Sequence, residues 1–135
     1  MRCYPGIPDL LTLMKLRGHK MGIVSSKWRF HVISELQSKK LDMFFDVVVA
    51  QEDTSRHKPY PDPLLLAARK LQGNPADCVY IGDQPSDVQS ARAAGMINIA
   101  ALWGDGKFER IQTASPNIMV QNPVEVLNFV SQLKR

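Results

Sequence analysis

Four side chains in this sequence have the chemical type and placement to handle a phosphoryl group: Ser25, Lys58, Asp83 and Asp87. Ser25 opens Ser25-Ser26-Lys27, directly after the apolar run Met21-Gly22-Ile23-Val24. A hydroxyl there, with the free N–H groups of Ser25 and Ser26 at the start of a helix, can bind phosphate with help from the helix dipole. Serine is also a favoured N-cap, so this element alone is ambiguous. Lys27 is a weaker contact for a substrate. Lys58 heads Lys58-Pro59-Tyr60-Pro61-Asp62-Pro63, whose three prolines fix the backbone and so the direction of the lysine. An ammonium held at that point neutralises phosphoryl charge; an ordinary solvated lysine before a helix start is the plainer reading. Gly82-Asp83-Gln84-Pro85-Ser86-Asp87 places one carboxylate at the end of an apolar run and a second in the first turn of the next helix. Two such carboxylates suit Mg²⁺, a hard cation that prefers oxygen donors. Equally, Asp83 or Ser86 can cap the helix while Asp87 favours its dipole.

The elements that must position these groups follow from periodicity. A helix is expected from Pro8, with Leu10, Leu11 and Met14 on one face and Gly18 at its end. A strand over Met21–Val24 precedes a helix over about 28–39, where Phe30, Ile33 and Leu36 recur at helical spacing. The run Phe44–Ala50 is β-branched and aromatic and predicts a second strand. Asp62 as N-cap, Pro63 at the first helical position and Gly73 as terminator bracket a helix carrying Leu65, Leu66, Ala68 and Leu71. Cys78–Ile81 predicts a third strand, closed by a sharp turn at Gly82. A short Ala-rich helix over 85–94 stops at Gly95, Ile97–Leu102 predicts a fourth strand and Ile118–Val120 a fifth. Residues 123–133 close the chain as a helix with Val126, Leu127 and Val130 on its apolar face. Strands separated by single helices imply right-handed crossovers and a parallel sheet, α/β and Rossmann-like, in one domain over 1–135. Ligands of such sheets bind at the carboxyl ends of the strands. Ser25, Lys58 and Asp83, each following a successive strand, are therefore expected in one crevice.

Composition narrows the classes. The 135 residues carry 44% hydrophobic and 22% charged residues, ordinary for a globular domain. The net charge of +4 is scattered rather than gathered in a stripe, which argues against nucleic acid as partner. Cys3 and Cys78 lack metal or redox spacing and read as free thiols, Cys78 within an apolar run, which suits a reducing compartment. Pro5, Gly6 and Pro8 interrupt any signal-peptide core, and no apolar stretch approaches the roughly 20 residues of a membrane span. A cytoplasmic location with no membrane partner is the expectation. The chain has no glycine-rich phosphate loop, which disfavours an unrelated nucleotide-binding domain.

Taken together, strand-then-Ser25, Lys58 in KPYPDP and Asp83/Asp87 in GDQPSD resemble the second, third and fourth motifs of the haloacid dehalogenase superfamily. The YPGIPDLL opening, the DMFFDVVVAQED run, ARAAGMINIA and ALWGDG resemble its phosphoglycolate phosphatase and pyrophosphatase branch, so the resemblance covers essentially the whole chain. It implies a Mg²⁺-dependent phosphatase acting on small phosphomonoesters or pyrophosphate through an aspartyl-phosphate. It also implies roles: Ser25 binding the phosphoryl group, Lys58 steadying it, Asp83 ligating Mg²⁺, and Asp87 supporting the metal directly or through water. The family's nucleophile lies in a DxDxT motif, and no Asp-x-Asp occurs in this sequence. The resemblance therefore implies a core without its nucleophile, its central strand or its cap. Two half-sheets with bare inner edges are expected, completed by an N-terminal segment or another chain, and the isolated chain should be inactive. The alternative is a non-catalytic module that binds phosphate or a partner. His57, beside Lys58, is read as a loop residue rather than a base.

Overall fold

Among the described residues, five short parallel strands form two sheets, and helices cover both faces. The computed structural model describes residues 6–104 and 107–133. Cys3, Tyr4, Pro5, Asp105 and Gly106, used in the sequence reading, lie outside the described residues. Strands β1 (Gly22–Val24) and β2 (Val47–Val49) pair in parallel, Ile23 opposite Val48. Strands β3 (Val79–Gly82), β4 (Ile97–Ala101) and β5 (Ile118–Val120) form the second sheet in the order β3-β4-β5. Among the described residues β1 and β3 each have a ladder partner on one side alone, which agrees with the expected half-sheets.

Two helices tie the halves together. Helix α1 (Ile7–Leu16) packs Leu10 and Met14 with Ile99, Val120 and Val126 of the larger half, and Leu11 with Ile23 and Val48 of the smaller. Helix α3 (Asp62–Lys70) packs on β1, β2 and helix α4 (Pro85–Ala94). Its Leu64 and Ala68 meet Ala91 and Ala94 of α4, with Val24 and Tyr80 against the same cluster. Helix α2 (Arg29–Ser38) covers the smaller sheet, while α5 (Phe108–Thr113) and α6 (Pro123–Gln132) complete the larger half. Alternation along β4 sends Ile99 to the α1–α6 side and Ala100 to the α4–α5 side.

Several local readings are corrected. The strand expected over Phe44–Ala50 is confined to Val47–Val49, because Asp42–Phe44 forms a 3₁₀ turn and Asp46 exchanges bonds with Met21: its N–H donates to the Met21 carbonyl at 2.7 Å. In α2 the buried face is Val32 and Leu36, while Phe30 is 69% exposed and packs edge-on against His31. In α3 the core residue is Leu64, and Leu65 faces solvent. Asp62 is the first helical residue rather than the cap; its carboxylate pairs with Arg56 at 3.1 Å. The left-handed residue after α3 is Gln72, φ 60°, and not Gly73. The need for glycine at position 82 comes from a close approach described below. Helix α5 had no sequence signal at all.

Candidate active site

The carboxyl end of β3 holds the densest polar cluster. Asp87 sits in the first turn of α4 and is 5% exposed. Its Oδ1 accepts from the Lys58 ammonium at 2.7 Å, and its Oδ2 accepts from the N–H groups of Asp83 and Gln84, each at 3.0 Å. One carboxylate thus closes the N-terminus of the helix, fixes the Asp83 turn and pairs a buried lysine. The Tyr80 hydroxyl accepts from the same ammonium at 3.1 Å and lies 3.4 Å from Asp87 Oδ1. Lys58 arrives on the proline-rich loop, where the Lys58–Pro59 peptide is cis. The loop has a further anchor: the fully buried Ser90 hydroxyl donates to the Tyr60 carbonyl at 2.7 Å. Asp87 and Ser90, three residues apart, share one face of α4.

Two glycines make room for the carboxylates. A Cβ on Gly82 would lie 2.3 Å from Asp87 Cβ, and one on Gly104 would lie 2.2 Å from Asp83 Oδ2. Neither position accepts a side chain without displacing the carboxylate beside it.

The cluster sets its own protonation. Burial, the strongest influence on Tyr80, pushes its hydroxyl up to about 12, with Lys58 opposing and Asp87 adding to the shift. Burial also works to lower Lys58, but Tyr80 and Asp87 outweigh it and the ammonium ends above its ordinary value. At neutral pH Lys58 is therefore a cation and Tyr80 a neutral phenol. Both raised groups keep protons in the folded chain that the unfolded chain releases, so their stabilisation is complete below about pH 10 and is lost as pH climbs through the folded values. Stability should fall between pH 10 and 12, by up to about 1.4 kcal/mol per pH unit for each retained proton. Urea unfolding across that range checks this, and Tyr80→Phe should flatten the slope.

Ser25 stands at the carboxyl end of β1. Its N–H donates to the Val49 carbonyl at 2.9 Å and its hydroxyl accepts from the Lys27 N–H at 3.1 Å, an ST-type turn that leads towards α2. Ser26 is exposed. The Lys27 ammonium pairs with Glu35 at 2.9 Å, a contact that raises its pKa. The Ser25 turn is stitched to the loop leading to Lys58. Gln51 N–H donates to the Lys27 carbonyl at 2.9 Å, Arg29 N–H donates to Glu52 Oε1 at 2.8 Å, and the Arg29 guanidinium binds Asp53. His57 contacts the Gln51 carbonyl at 2.8 Å through its Nε2 and acts as a loop brace.

The structure thus joins Lys58, Asp83 and Asp87 directly. It links Ser25 to them through packing, since neighbouring Val24 and Tyr80 contact one apolar cluster. Sequence reasoning missed Tyr80 and Ser90. Tyr80 was findable, because strand alternation puts it on the same face as Gly82, where Asp87 sits.

The fit for Mg²⁺ is incomplete. Both Asp87 oxygens are engaged by protein donors, and among the described residues no group of three His, Cys, Asp or Glu side chains is placed to hold a metal. Asp83 is a carboxylate suited to contribute to a metal site; the described residues do not form that site alone.

A family model for haloacid dehalogenase-like hydrolases matches residues 1–101. The chain belongs to that family. Within it, the chain is 33% identical over 127 residues to the pyrophosphatase PpaX of Bacillus pumilus, covering 94% of this chain and 59% of that protein. It is 30% identical over 124 residues to the phosphoglycolate phosphatase of Escherichia coli K12, covering 92% of this chain and 49% of that one. The crystal structure of a haloacid dehalogenase-superfamily hydrolase from Ehrlichia chaffeensis superposes with a TM-score of 0.81 at 32% identity, covering 96% of this chain and 58% of that chain. The chain therefore spans about half to three-fifths of the length of these relatives. Among the described residues no helix is long and apolar enough to cross a membrane.

Proposed function

We propose that this chain is the phosphate- and lysine-bearing part of a phosphatase that acts on a small phosphomonoester of the phosphoglycolate kind, or on pyrophosphate. The observation that carries this reading is the buried Lys58–Asp87 pair at the carboxyl end of β3, beside Asp83. Burial in a low-dielectric site makes that ammonium effective against phosphoryl charge. The substrate classes come from the named relatives, two of which are a phosphoglycolate phosphatase and a pyrophosphatase.

In this reading the Ser25 and Ser26 hydroxyls and the Ser26 amide hold phosphoryl oxygens, and Lys58 neutralises them as charge shifts. Asp87 keeps Lys58 in place. Asp83 would help to hold Mg²⁺, which supplies charge stabilisation when bound, and the other donors would come from outside the described residues. The reaction takes place in the cytoplasm. The attacking carboxylate is a group this sequence does not contain in its family context. That both Asp87 oxygens are already bonded favours a second reading, a module that binds phosphate without turnover.

The two readings separate in one experiment. The chain is combined with a segment carrying DxDxT from a relative, and hydrolysis of phosphoglycolate and pyrophosphate is followed with Mg²⁺. Turnover that falls by about 10²–10³ with Lys58→Ala supports the phosphatase. Phosphate binding without turnover in every combination supports the module.

A further inference from the structure

Tyr80 is the polar group of the cluster that no motif accounts for. Its ring packs with Val24 and Cys78 against Leu64, Ala68 and Ala91, and its hydroxyl emerges from that apolar setting between two charges. The distances are 3.1 Å to Lys58 Nζ and 3.4 Å to Asp87 Oδ1. The ammonium also lies 5.7 Å from the ring centroid, within reach of the aromatic face. A lysine carries four rotatable bonds, and a single carboxylate contact leaves its terminus free to pivot. A second fixed acceptor, on the rigid β3 rather than on the loop, removes that freedom.

We propose that Tyr80 is a positioning residue for Lys58: its hydroxyl, held by β3, is the second acceptor that fixes where the ammonium points. The proposal deepens the phosphatase reading, on which the functional importance of that direction rests, but the contact itself stands independently. The hydroxyl accepts from Lys58 and turns its own proton towards Asp87, so the three groups form a closed ring of hydrogen bonds. The groups facing the ammonium are Asp87 from α4 and Tyr80 from β3, while Lys58 itself comes from the loop before α3.

The test needs neither substrate nor metal. The whole chain and its Tyr80→Phe variant are treated with trace acetic anhydride at pH 8, and acetylation at each lysine is measured by mass spectrometry. Phenylalanine keeps the ring in its apolar setting, so melting temperature serves as the control for folding. In the parent chain Lys58 should react far more slowly than exposed Lys40. In Tyr80→Phe its rate should rise at least roughly threefold relative to Lys40, since loss of one hydrogen bond frees the amine. Tyr80→Leu, which also removes the ring, should lower the melting temperature as well, separating packing from positioning. Equal Lys58 rates in the parent and Tyr80→Phe chains would overturn the proposal, whatever the phosphatase assay gives. A raised Lys58 rate alongside an assay in which Lys58→Ala changes nothing would leave the contact standing and remove the phosphatase reading instead.

Discussion

The purified 135-residue chain should hydrolyse p-nitrophenyl phosphate, phosphoglycolate and pyrophosphate, with Mg²⁺ present, at rates far below those of an enzyme. The site geometry explains why. Lys58 stabilises negative charge, and the Ser25 turn presents a hydroxyl, but neither attacks phosphorus. Serine would need a base, and the histidine nearest Lys58 in sequence, His57, contacts a main-chain carbonyl through its Nε2. Loss of a nucleophile removes about 10⁴–10⁶ in rate, with electrostatics and binding supplying the remainder. Ordinary turnover starts near roughly 1 s⁻¹, so the isolated chain should fall below about 10⁻³ s⁻¹. Titration calorimetry should likewise find no micromolar Mg²⁺ site, because both oxygens of Asp87 are already bonded and Asp83 alone is a poor cage for a cation that demands near-octahedral oxygen donors. Turnover near 1 s⁻¹ that disappears with Lys58→Ala would show an attacking group that this account omits.

The sequence was most informative where local and global signals agreed. Helix α4 begins at proline and ends at a glycine with φ 77°, and its bounds were read from those residues. Ser25, Lys58 and Asp83 were placed at strand ends by counting elements, and two of the three meet around Asp87. The strand reading stretched too far over Phe44–Ala50 because β-branched composition does not reveal a 3₁₀ turn. Composition likewise could not tell Leu64 from Leu65: in a run of three leucines the buried one is chosen by the angle at which α3 crosses β1 and β2. For Asp87 the spacing offers two roles, support of a metal or a partner of the α4 dipole, and the fold gives it a lysine, a phenol nearby and two amides. The amides are local to the start of α4, but the lysine comes from a distant stretch of chain, which no local pattern reports. Tyr80 reads as one more apolar strand residue, and only the face it shares with Gly82 marks it as a neighbour of Asp87.

Asp87→Ala should therefore be one of the most destabilising single substitutions available in this chain. It removes the partner of Lys58, whose side chain is only 16% exposed, and strands two amides at the start of α4. Breaking a buried pair by deleting one member costs about 3–5 kcal/mol, because the surviving charge is left uncompensated. That is a large share of the roughly 5–15 kcal/mol that holds an ordinary domain together. Lys58→Met should cost less. It leaves the carboxylate two backbone N–H donors and the Tyr80 hydroxyl, so the remaining charge is partly satisfied. The double variant Lys58→Met/Asp87→Ala should recover part of the loss, since no unpaired ammonium remains. Its coupling energy should fall within about 0.5–3 kcal/mol, the range for groups in direct contact. Urea unfolding of the four proteins gives the cycle. Additive effects would mean that Asp87 acts only as a cap for α4, and that its contact with Lys58 carries no stability of its own.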